Sequence, residues 1–185
     1  MIKDNTPFKN ANPNDITQRF KGVEHKGIDI ASKIGTWLVA PQDCVVEKIV
    51  TSTTLDESLA PLASGYGLVM RNKQNPNLKY LYWHCMAIFP VEVGQEVKRG
   101  QQVAQMGNSG FVKRGGVVVP VEVRLKPPYA GTHVHYEKFI QNTWEREYLD
   151  PEPNIDWLSG VDFNWWSEAL IVLRKMLKII KGRKW

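Results

Sequence analysis

Residues 132–137 read Thr132-His133-Val134-His135-Tyr136-Glu137, the pattern of a β-strand. Residues two apart on a strand point to one face, so His133 and His135 project together. Outward from this segment, the chain from Thr36 to Lys138 is written in short strands. Val39, Val45 to Val50, Leu68 to Met70, Tyr80 to Trp83, Val91 to Val97, Val103 to Met106 and Val117 to Val123 are rich in β-branched, aromatic and other apolar residues. Clusters of Gly, Asn, Pro and Asp separate them, and helical periodicity is absent. Many short strands at close spacing predict a mainly β domain built on an antiparallel sheet.

Two segments interrupt this rhythm. Thr54 to Ser64 is polar and contains alanine, which predicts a loop with a short helical turn. Val112 to Ala130 carries a Gly-Gly pair, a valine-rich run and Pro127-Pro128, and reads as a β-hairpin insertion whose strands Pro120 keeps irregular. Past Asp150 the Pro-Glu-Pro sequence ends the sheet. From Trp165 to Lys181 the period becomes helical, with Trp166, Ala169, Leu170, Leu173, Leu177 and Ile180 on one stripe and Arg174, Lys175, Lys178 and Lys181 opposite. The expected organisation is a polar N-terminal arm over 1–15 and a β domain over 16–156 with its insertion at 111–130. A basic amphipathic C-terminal helix follows over 157–185. That helix either docks on the β domain or rests on an anionic membrane.

The formal charge of +5 is carried by the tail. Six of the 24 basic residues lie from Ile171 onward with no acidic residue among them, leaving 18 basic against 19 acidic elsewhere. A positive tail on a neutral body fits an anionic lipid or wall polymer. Nucleic acid is not expected as a partner, because no base-reading motif accompanies the charge. The N-terminus has no signal sequence and the chain no long apolar run, so the expectation is synthesis in the cytoplasm without a membrane anchor. Cys44 and Cys85 sit among apolar residues at no metal or redox spacing. They read as buried free thiols, with one disulfide as the alternative.

The four histidines carry the chemistry. His25 and Asp29 form an H-x-x-x-D unit in a turn that enters a strand, His133 and His135 form H-x-H, and His84 ends the strand Tyr80-Leu81-Tyr82-Trp83. Alone, each unit reads as solvated histidines or a turn-capping aspartate. Together they supply a three-ligand set with two imidazoles to spare, which is what metal-assisted hydrolysis requires. Glu137 is in phase with His135 but reads as an ordinary strand residue.

The segments Gln18-Arg19-Phe20, His25-Lys26-Gly27-Ile28-Asp29-Ile30-Ala31, Gly65-Tyr66-Gly67, Tyr82-Trp83-His84, Gly94-Gln95-Glu96-Val97, Gly107-Asn108-Ser109-Gly110 and His133-Val134-His135-Tyr136-Glu137 follow in order. In this the chain resembles the lysostaphin/LytM-type zinc endopeptidases, which cut peptide cross-bridges of bacterial peptidoglycan. The resemblance implies Zn2+ held by His25, Asp29 and His135. It implies His133 as general base or water-orienting group, and His84 as its partner in positioning water and stabilising the tetrahedral intermediate. The departure is the 111–130 insertion, expected as a wall or lid over the substrate groove. The role implied extends to a phage or prophage lysin acting on the wall after release, or as part of a phage particle. A non-catalytic LytM-like module that binds wall or activates another hydrolase is the alternative, and a carrier-like β domain a third.

Overall fold

The computed structural model describes residues 3–51, 65–124 and 126–158. The helical turn expected within 54–64 lies outside them. So does the C-terminal helix with its lipid or wall contact. The strands are β1 (Asp4–Asn5), β2 (Ile16–Gln18), β3 (Gly27–Ala31), β4 (Trp37–Val39), β5 (Cys44–Val50), β6 (Tyr66–Asn72) and β7 (Leu78–Cys85). They continue as β8 (Glu96–Val97), β9 (Gln102–Gln105), β10 (Lys113–Arg114) and β11 (Val117–Val118). A helical turn α1 (Val121–Arg124) precedes β12 (His133–Asn142), β13 (Glu145–Leu149) and β14 (Ile155–Asp156). The fold is mainly β, with one antiparallel sheet in the order β2-β3-β12-β7-β6-β5-β8 and β13 also paired to β12.

Strand β12 is the axis of this sheet. Its first half pairs with β3, from His133 opposite Ala31 to Glu137 opposite Gly27, and its second half pairs along the same edge with β13. On the other edge β7 runs beside it from Trp83 opposite His135 to Leu78 opposite Ile140. The two-residue period sorts the side chains. Ile28, Ile30, Tyr80, Tyr82, Val134 and Tyr136 are fully buried in the main core, each contributing roughly 1.5–3 kcal/mol. The residues between them, Asp29, His133 and His135, are thereby committed to the opposite face. Gly27 marks the closest approach of β3 and β12. A Cβ there would lie 2.3 Å from the carbonyl oxygen of Tyr136, so any side chain would part the strands.

Residues 3–15, read from sequence as a polar arm, are packed into the domain. β1 pairs in parallel with β14, and Phe8 and Ala11 join the core. Asp4 is buried, with its Oδ2 2.6 Å from Lys138 Nζ and its Oδ1 accepting from Tyr80 Oη and Gln42 Nε2, both at 3.0 Å. A buried carboxylate is tolerable only with this degree of pairing.

Two expected strands are shorter than their apolar text. Of Val91 to Val97 only Glu96–Val97 is strand, because a turn at Gly94 (φ 88°) brings the chain back against Val46. Of Val117 to Val123 only Val117–Val118 is strand. Gly115 and Gly116, both at positive φ (58° and 81°), make the tight β10–β11 turn. Pro120 then starts a helical turn, its carbonyl accepting from the amides of Val123 and Arg124. Proline suits the head of a helix, where no amide donor is needed. Cys44 and Cys85 are buried free thiols. Among the described residues no helix is long and apolar enough to cross a membrane.

Candidate metal centre

Strands β3 and β12 place Asp29 and His135 directly opposite each other in the ladder. His25 reaches the same point from the turn before β3. Asp29 Oδ1 lies 2.7 Å from His135 Nδ1 and 3.1 Å from His25 Nε2. One ligand atom from each of the three groups lies within 4.8 Å of the others. The sequence-expected triad is therefore assembled, among the described residues, with all three side chains largely shielded from solvent.

Each imidazole is oriented by its second nitrogen. His25 Nδ1 donates to the carbonyl of Arg19 (2.8 Å), which frees Nε2 to face Asp29. His135 is turned the other way, with Nδ1 toward Asp29 and Nε2 3.2 Å from Glu137 Oε1. Glu137 is thus part of the site, although sequence reading set it aside. Its phase with His135 on one strand was the available signal. The carboxylate holds the tautomer that leaves Nδ1 free for a ligand, as carboxylate partners do for metal-binding histidines.

His133 and His84 stand beside this triad. Their rings are 4.7 Å apart, and His133 Nε2 is 3.7 Å from Asp29 Oδ2. His133 Nδ1 donates to Gly131 O at 2.7 Å, and His84 Nδ1 donates to Ser109 O at 2.8 Å. A carbonyl cannot donate, so in their neutral forms both rings present a lone pair at Nε2.

His84 reaches this face through a β-bulge. Tyr66 pairs with Cys85 but Leu68 pairs with Tyr82, so β7 spends one residue more than β6 over the same span. His84 takes φ 62°, a left-handed conformation uncommon outside glycine. Strict alternation would send His84 into the core after Tyr80 and Tyr82. The bulge turns it to the metal face instead, and Cys85 takes the core position. Bulges re-aim side chains in this way beside active sites.

The electrostatics separate the groups. Burial opposes charge on Asp29, but hydrogen bonds from His135 and His25 and the nearby His133 hold its carboxyl well below the usual range. Burial also opposes charge on His135, yet its bonds to Asp29 and Glu137 push it up to about 9. A metal entering at neutral pH must therefore displace a proton there. Burial, reinforced by His133, pushes His84 down to about 3, so its ring stays neutral.

The insertion lies along the same face. A cleft of about 940 Å³ runs past Asp29 and His133, lined by Lys33 after β3, by Lys113 to Gly116, and by Pro128 to Thr132. The insertion thus forms one side of this cleft. It is fastened to the turn after β9, where Arg124 donates to the carbonyl of Asn108 and Asn108 Nδ2 donates to the carbonyls of Arg124 and Ala130, both at 2.9 Å.

Two imidazoles and a carboxylate from β12, β3 and the turn before β3, with two further imidazoles beside them, define a centre of the metallopeptidase class. Residues 23–147, more than half of the chain, match the model of peptidase family M23, and the chain belongs to that family. It is 28% identical over 155 residues to an uncharacterized metalloprotease of Haemophilus influenzae, covering 78% of this chain and 30% of that protein. A zinc containing peptidase from Vibrio cholerae shares the fold with a TM-score of 0.56 at 22% identity, over 80% of this chain and 39% of that one. The structure of LytU matches with a TM-score of 0.55 at 24% identity, over 75% and 82% of the two chains. The chain therefore spans well under half of the first two relatives.

Proposed function

We propose that this domain is a zinc-dependent endopeptidase that hydrolyses peptide cross-links of bacterial peptidoglycan. The observation that carries the reading is the convergence of His25 Nε2 and His135 Nδ1 on Asp29 Oδ1, at 3.1 and 2.7 Å, beside two unused imidazoles. Two nitrogen donors and one carboxylate, with a position left open, is the donor set of catalytic zinc rather than of structural zinc. Bound zinc supplies Lewis-acid polarisation of the peptide carbonyl and makes water more acidic.

The remaining work falls to the chain. His133 Nε2 faces the site with its lone pair exposed and takes a proton from the attacking water. It then returns that proton to the leaving amine nitrogen. His84, kept neutral by burial, accepts a hydrogen bond from the water through Nε2 and fixes its direction. Neutral His84 has no donor at that nitrogen, so its part is aiming water more than bonding an oxyanion. Sub-ångström placement of such groups governs rate, and the ladder on β12 supplies it.

The test is release of new amino groups from purified sacculi by the zinc-loaded protein. Release that stops on chelation, and in an Asp29→Ala protein that is folded but zinc-free, supports the reading. Sacculus binding without new amines would instead favour a wall-binding or hydrolase-activating module. A lysin role follows from the same reading: protein added to membrane-permeabilised cells lowers turbidity, and intact turbidity with active enzyme counts against it.

A further inference from the structure

The cleft beside the metal centre is positively lined. Lys33, Lys113 and Arg114 line it, Asp29 is its only acidic residue among the described residues, and Asp29 is committed to three histidines. None of the three cations forms an ion pair with a carboxylate among the described residues. Some cations elsewhere on the surface are paired, as Lys73 is with Glu96 and Lys98 with Asp43. Lys113 and Arg114 are also held in place. They form β10, closed by the Gly115-Gly116 turn, between the buried Val112 and Val119. The Lys113 ammonium lies over the Phe111 ring, 5.3 Å from its centroid, a contact that restrains its reach. Two separate segments of chain, the turn after β3 and the insertion, thus bring like charge to one cleft.

We propose that this cleft is a subsite for a free carboxylate on the peptide substrate, recognised by Lys113 and Arg114 of the insertion with Lys33. Like charges gathered beside a low-dielectric wall raise the local concentration of an anion, and arginine can bind a carboxylate through two parallel hydrogen bonds. The inference rests on the peptidase reading for its substrate class, but it concerns binding and not the bond cut. It assigns the insertion a purpose: selection of acidic peptides over neutral ones. An exposed pair contributes little alone, so two or three cations acting on one carboxylate are expected to give about tenfold in affinity, falling as salt rises.

The test uses the full chain and two fluorescein-labelled, C-terminally amidated peptides of sequence Ala–γ-D-Glu–Lys–D-Ala. One carries the free α-carboxylate of its γ-linked glutamate, and the other has it amidated. Fluorescence anisotropy reads binding, and amine release from sacculi is measured with the same protein. We expect the carboxylate peptide to bind about tenfold more tightly, with the ratio falling toward one in the Lys113→Ala/Arg114→Ala protein and at high salt. Equal affinity for the two peptides, or a ratio untouched by the double substitution, overturns the proposal. A preference that is present and lost in the variant, with no amine release from sacculi, upholds the subsite and removes the peptidase reading instead.

Discussion

Strand β12 and the insertion before it face the same cleft but are held in opposite ways. β12 is bonded on both edges, by β3 and β13 on one side and by β7 on the other. Its alternate residues Val134 and Tyr136 are locked in the core. The insertion has two strands of two residues each, a glycine turn, and one fastening at Arg124 and Asn108. In the reading proposed above, chemistry sits on the sheet and recognition on the insertion. The two can therefore be damaged separately: changes on the sheet should strike rate or metal, and changes in the insertion should strike preference.

The largest expected effect short of losing the metal is at the two spare imidazoles. His133→Asn and His84→Asn should keep zinc yet lower the hydrolysis rate by about 10²–10⁴-fold, read from amine release and metal content together. Asparagine suits the second site because it tolerates the left-handed backbone of His84. Zinc loss in either variant would break the division of roles between the two histidine pairs.

Next is Glu137→Gln. The amide can no longer hold His135 as the carboxylate does, so zinc affinity should weaken by about 10–100-fold in a competitive chelator titration. Unaltered affinity would return Glu137 to an ordinary strand position. Where the insertion is fastened, Asn108→Ala removes both hydrogen bonds from Nδ2. It should cost about 1–3 kcal/mol in denaturant unfolding while zinc affinity stays as it was. A fall in zinc affinity there would show that the two regions are not separable.

The smallest expected effect is none at all. Burial disfavours the charged form of His84, placing it at about 3, and bound zinc would add repulsion in the same direction. Site-specific ring NMR between pH 5 and 8 should therefore find His84 neutral throughout. A midpoint near the ordinary histidine value would mean that it is not shielded and can carry a proton in the reaction.

Much of this was legible in the sequence, for a physical reason. Histidine and aspartate are chemically distinctive, and H-x-H on a strand fixes its own geometry, so His25, Asp29, His133 and His135 were named without coordinates. The H-x-H unit likewise marked β12, and aromatic content marked β7. What stayed hidden depends on partners distant in the chain. The bulge at His84 appears only when β7 is counted against β6. The burial of Asp4 requires Lys138, Tyr80 and Gln42 to meet it, and a polar N-terminus alone reads as an arm. In the insertion, local valine content pointed to strand, but Pro120 and the Arg124–Asn108 fastening made a helical turn instead.

In the reading proposed above, one zinc ion would be held by His25, Asp29 and His135 while His84 and His133 stay off the metal. Anomalous diffraction at the zinc edge, on crystals of the zinc-loaded protein, tests it most directly. One peak at about 2.0–2.2 Å from His25 Nε2, Asp29 Oδ1 and His135 Nδ1, with neither His84 nor His133 at bonding distance, is the expected result. A peak ligated by His84 or His133, or no peak between β3 and β12, would contradict it.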